Sequence, residues 1–141
     1  MNKNSPVIII EDDEDDRELM REVFLKLNYP NKVLFFGDGQ QALDYLLTTP
    51  ELPFLILSDI NMPKLNGFEL IDKLHTDAAL QLKCIPYLFF STAADQKMVI
   101  KAYSLSAQGF FVKPSSMLEM EEVIRDIMNY WQKCVAPNSF Y

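Results

Sequence analysis

The feature that most constrains this chain is a short apolar run that stops on a carboxylate. Leu55-Ile56-Leu57 leads through Ser58 to Asp59, and Ile60-Asn61-Met62 then meets Pro63. Residues 54–57 are uninterrupted and apolar, as suits a strand buried on both faces of a parallel sheet. Whatever follows such a strand is delivered to its C-terminal edge, where open α/β sheets hold their ligands. Asp59 is therefore the candidate reacting residue. Three other apolar runs end comparably. Val7-Ile8-Ile9-Ile10 leads into Glu11, Asp12 and Asp13, Tyr87-Leu88-Phe89-Phe90 into Ser91 and Thr92, and Phe110-Phe111-Val112 into Lys113 and Pro114. If the strands are parallel, these ends share one rim and bring acids, a hydroxyl and an ammonium towards Asp59.

Between the runs, apolar residues recur at helical spacing. Asp15 and Asp16 sit where a helix start favours negative charge, followed by the stripe Leu19, Met20, Val23, Phe24 and Leu27. Asp38 with Gln41 resembles a capping box ahead of Ala42, Leu43, Leu46 and Leu47. A third helix is expected over about 68–74, extended irregularly through 75–84, and a fourth carries Met98, Val99, Ala102 and Tyr103. Ser116 with Glu119 resembles a second capping box and opens the last helix, whose stripe runs from Met120 to Trp131. With a further strand at 32–36, five strands alternate with five helices. That pattern implies a parallel sheet covered on both faces, because right-handed crossovers place the helices so. The strand at 32–36 ends without an acid or hydroxyl, as suits an edge away from the site.

The 141 residues are enough for one domain with a sizeable core, here about 7–133 with a tail at 134–141. Cys84 and Cys134 lack metal-ligand spacing and, with no secretory signal before Val7, read as reduced thiols in a cytoplasmic protein. No apolar run approaches the roughly 20 residues of a membrane span. A net charge of −7 argues against nucleic acid as a partner. No glycine-rich phosphate loop is present, and His75 reads as a surface residue.

Carboxylates crowded at a sheet edge repel one another unless a cation compensates them. Magnesium, which takes one or two protein carboxylates together with water and phosphate oxygens, fits Asp12, Asp13 and Asp59 better than a calcium cage does. An aspartate can act as a nucleophile towards phosphorus. Lys113 would then add positive charge and Ser91 a hydrogen bond at the phosphoryl oxygens. Each residue also has a plainer reading: an acidic helix start, a surface lysine before a proline, a helix-capping serine.

Taken together, Asp12-Asp13, Asp59, Ser91 and Lys113-Pro114 at successive strand ends resemble the receiver domain of two-component response regulators. Asp59-Ile60-Asn61-Met62-Pro63 with Asn66-Gly67 is similar to that family's Asp-x-x-Met-Pro…Gly signature. The resemblance implies a flavodoxin-like three-layer α/β sandwich with a five-stranded parallel sheet of order 2-1-3-4-5 and five helices. It implies that Asp59 takes a phosphoryl group from a sensor histidine kinase or phosphotransfer protein. Mg2+ would be held by Asp13, Asp59, the backbone carbonyl of Asn61 and, through water, Asp12. Lys113 would pair with the phosphoryl group, and the bond between Lys113 and Pro114 would be cis. Ser91 and Phe110 would be the switch residues, altering the face of the fourth helix, fifth strand and fifth helix for a downstream protein target.

The chain also departs from the commonest family pattern: Ser91 stands for a more frequent threonine, and Phe110 lacks a tyrosine's hydroxyl. Ala93 is small and would leave the phosphate open to water. Trp131, Val135, Phe140 and Tyr141 extend apolar character towards the tail, and a homodimer through the tail or the switching face is a further expectation. Two other functions share part of the pattern. A phosphohydrolase of the haloacid dehalogenase type also uses an aspartate with Mg2+, but its second acid would be Asn61 here. A receiver-like binding module that takes no phosphate would have no need of the full set of acids, hydroxyl and lysine.

Overall fold

The computed structural model describes residues 4–92 and 94–135. Ala93 and most of the tail, including Phe140 and Tyr141, lie outside the described residues. The elements run β1 (Val7–Ile10), α1 (Glu14–Leu27), β2 (Val33–Phe36), α2 (Gly39–Thr48), β3 (Leu55–Ser58), α3 (Gly67–Thr76), α4 (Ala78–Lys83), β4 (Tyr87–Ser91), α5 (Gln96–Ser104), β5 (Gly109–Val112) and α6 (Met117–Lys133). All strand pairs are parallel, in the order β2-β1-β3-β4-β5. This is the flavodoxin-like arrangement, with β2 at an edge as its plain ending suggested.

Alternation along the strands divides the core in two. Ile8, Ile10, Ile56, Tyr87 and Phe89 face α2, α3, α4 and α5. Val7, Ile9, Leu55, Leu57, Leu88 and Phe90 face α1 and α6. Each internal strand must therefore be apolar on both sides, which is why β1, β3 and β4 are buried throughout.

Six helices are present where five were expected. Asp77 divides the stretch read as an irregular extension: its extended backbone ends α3, and its side chain accepts the N–H of Leu80 at 3.0 Å to start α4. His75 is exposed on α3. Asp38 and Ser116 cap α2 and α6 as expected, while the reciprocal capping box forms at Asn66 and Glu69, at the head of α3. Both cysteines are free. Trp131 packs half-buried against the core on the α1 and α6 face, and no helix among the described residues is long and apolar enough to cross a membrane.

The register prepares the site. Ile10 pairs with Ser58, Ser58 with Phe89, and Phe89 with Phe110. One residue beyond the first pair, Glu11 and Asp59 emerge side by side, and Ser91 pairs with Val112 one residue before Lys113.

Candidate functional site

Asp59 leaves the end of β3 with its side chain held at both oxygens. Oδ1 accepts the N–H of Ile60 at 2.7 Å, and Oδ2 lies 3.6 Å from Nζ of Lys113. Glu11, Asp12 and Asp59 each bring one carboxylate oxygen into a group whose members lie within 4.8 Å of one another. Glu11 is buried, Asp59 half-buried and Asp12 exposed, so the cluster opens to solvent at one side.

Lys113 is the positive member. Its backbone N–H donates to the carbonyl of Ser91 at 2.9 Å, which carries the pairing of β4 and β5 one residue further and brings Lys113 beside Ser91. Its buried side chain hydrogen-bonds Glu11 and, at 3.0 Å, Oδ2 of Asp16. Burial alone would lower its pKa, but the hydrogen bond to Glu11 and the charge of Asp59 outweigh it and the pKa is raised. Burial pushes Glu11 the other way for a carboxylate, up to about 7, with the hydrogen bond from Lys113 opposing the rise and the charge of Asp59 adding to it.

The charge balance follows directly. Glu11, Asp16 and Asp59 surround one ammonium, and Asp12 adds a fourth acid at the rim. An arrangement short of positive charge, with donors that are all oxygen, suits a hard divalent cation, and Glu11, Asp12 and Asp59 fit that role.

The expected site residues fall differently in this geometry. Asp59, Asp12 and Lys113 converge. Asp13 does not join them: it is the N-cap of α1, where its Oδ1 accepts the N–H of Asp16 at 3.0 Å. The acid beside Asp59 is instead Glu11, because the strand ends at Ile10 and the next residue, not the third, faces the site. The bond between Lys113 and Pro114 is trans, since no cis peptide bond occurs among the described residues. A prolyl bond prefers trans by only about 0.5–1 kcal/mol, so tertiary context sets the isomer. Ser91 is buried at the end of β4, and Asn61 is exposed just past Asp59. The ring of Phe110 is half-buried and lies 6.0 Å from that of Phe89.

Two residues beyond the expected ligands join the site. Asp16 reads in the sequence as a helix-start acid, yet it reaches Lys113 across 97 positions; no local signal marks such a pair. Glu11 could have been found by counting each strand end from its last apolar residue, Ile10 in β1.

The family model for the response regulator receiver domain matches residues 7–125. Response regulator Rcp1 of Synechocystis sp. (strain ATCC 27184 / PCC 6803 / Kazusa) is 25% identical over 140 residues, covering 96% of this chain and 94% of that protein. Rcp1 has also been solved in a Mn2+-bound form. Chemotaxis protein CheY-3 of Vibrio cholerae is 27% identical over 127 residues, covering 90% of this chain and 94% of that protein. The phosphorylated cyanobacterial phytochrome response regulator RcpA superposes with a TM-score of 0.84 at 25% identity, covering 94% of this chain and 97% of that one.

Proposed function

Since the chain belongs to the response regulator receiver domain family, we propose that Asp59 is its phosphoacceptor, taking a phosphoryl group from a phosphohistidine of a sensor histidine kinase or phosphotransfer protein in the cytoplasm. The observation that carries this reading is the convergence on Asp59 of Lys113, at 3.6 Å, and of the Glu11 and Asp12 oxygens, within 4.8 Å. A carboxylate oxygen of Asp59 attacks phosphorus, the new O–P bond forms as the donor's N–P bond breaks, and the imidazole leaves. Glu11, Asp12 and Asp59, with the carbonyl of Asn61, would hold Mg2+, which supplies positive charge to the phosphoryl oxygens.

The chain's own groups do the rest. Lys113 exchanges part of its carboxylate contact for a phosphoryl oxygen, and the Ser91 hydroxyl donates to another. New contacts at the ends of β4 and β5 then bias the packing of Phe110 and, with it, the face of α5, β5 and α6. Ile100, Tyr103, Val112 and Leu118 expose apolar side chains on those elements, which supports that face as the surface for a downstream protein or a second copy of the chain. The catalysis is confined to the chain's own phosphorylation and dephosphorylation.

Mass spectrometry after incubation with a small acyl phosphate and Mg2+ tests the reading. One added phosphoryl group that disappears in Asp59→Asn supports it. Catalytic turnover of phosphate esters would point to the hydrolase instead, and an inert protein to a binding module.

A further inference from the structure

Beneath the acceptor loop lies a tyrosine that the reaction above does not use. Tyr87 opens β4 opposite Ile56 of β3 and is 1% exposed. A phenol at that depth needs partners for its hydroxyl. It donates to the carbonyl of Gly67 at 3.1 Å. Separately, Ser58 Oγ donates to the carbonyl oxygen of Asp59 at 2.7 Å. Gly67 gives its N–H to the carbonyl of Ile60 at 2.8 Å. These bonds tie together the two ends of the loop 60–67, which begins at the acceptor and carries Asn61.

We propose that Tyr87 is a positioning residue for phosphoryl transfer, its buried hydroxyl anchoring Gly67, whose N–H in turn holds the Ile60 end of the acceptor loop where Asp59 meets Glu11, Asp12 and Lys113. The inference rests on the reading of Asp59 as phosphoacceptor and adds to it a residue that touches neither phosphate nor metal. The ring of Tyr87 packs against Phe89 with centroids 5.1 Å apart. Phenylalanine keeps that packing and removes only the tether. Reaction rates fall steeply when a nucleophile is displaced even slightly from its line of attack, so the hydroxyl matters to the chemistry more than to the fold.

Wild type, Asp59→Asn, Tyr87→Phe and Ser58→Ala are compared with a small acyl phosphate and Mg2+, following the first-order rate constant at saturating acyl phosphate and the unfolding midpoint of each. Tyr87→Phe is expected to slow phosphorylation of the folded protein about tenfold and to speed amide exchange at Gly67. Ser58→Ala, which releases the Asp59 carbonyl beside the other end of the same loop, shifts both in the same direction and carries the test of loop tethering if Tyr87→Phe does not fold. A lowered midpoint with an unchanged rate constant in the folded variants overturns the inference and leaves the acceptor assignment standing. A wild type that takes no phosphoryl group overturns both.

Discussion

The α-carbon of Gly67 faces the carbonyl oxygen of Asp59 so closely that a methyl group on it would lie 2.3 Å from that oxygen and 3.0 Å from the ring of Phe89. The glycine eight residues after the acceptor is thus required by space, because its backbone dihedrals are not of the left-handed kind. Gly67→Ala must push the acceptor loop away from the core. It is expected to cost about 2 kcal/mol and to lower phosphorylation by acyl phosphate in the fraction that still folds. Denaturant titration and mass spectrometry on the same samples check both halves.

Asp12 and Asp13 are neighbours with different duties. Asp12→Ala removes an exposed oxygen from the acid cluster and is expected to weaken Mg2+ binding at least tenfold with little change in stability. Asp13→Ala removes the N-cap of α1 and is expected to cost about 1 kcal/mol while leaving Mg2+ affinity nearly intact. Calorimetric Mg2+ titration beside thermal unfolding separates the two, and the opposite pattern would restore Asp13 as the ligand.

Lys113 is the buried counter-charge, and its loss should depend on pH. Lys113→Met leaves Glu11 and Asp59 facing each other without an ammonium. That is expected to destabilise the metal-free protein by about 3 kcal/mol near pH 8, where Glu11 beside Lys113 is ionised in the wild type and the variant must leave that charge unpaired or take up a proton. Near pH 5 Glu11 carries a proton and the cost should shrink. Unfolding curves at the two pH values provide the check; a cost independent of pH would show that Glu11 is not the group left exposed to repulsion.

The wild type has its own pH signature. Folding raises Glu11 from 4.5 to about 7, so between those values the native state binds a proton that the unfolded chain has released. Stability from this group is therefore lost as pH rises through that window. Lys113, raised above its ordinary value, adds stability that is lost only in the alkaline range above 10.5. A divalent cation competes with the proton on Glu11. Mg2+ should consequently raise the melting temperature more near pH 8 than near pH 5, and melts with Mg2+ or a chelator at both values measure the difference.

Much of this protein is written in local runs of residues. Strands of four or five apolar residues, stripes of period 3.6 and capping side chains such as Ser116 depend on near neighbours, so Val7 to Ile10, Leu55 to Ser58 and the long final helix could be read directly, and with them the parallel sheet and the rim that carries Asp59. The strand order came from family resemblance, since nothing local tells β1 which strands to pair with. The acid stretch at 11–16 shows where reading stops. Its six residues are all carboxylates, and only the end of pairing at Ile10 decides that Glu11 meets Asp59, Asp13 turns back to cap α1, and Asp16 reaches Lys113. The isomer of the bond before Pro114 and the buried hydroxyl of Tyr87 under the acceptor loop belong to the same class. Each depends on groups distant in the chain whose approach is fixed by packing, and a side chain carries no mark of a partner it meets only once the sheet has closed.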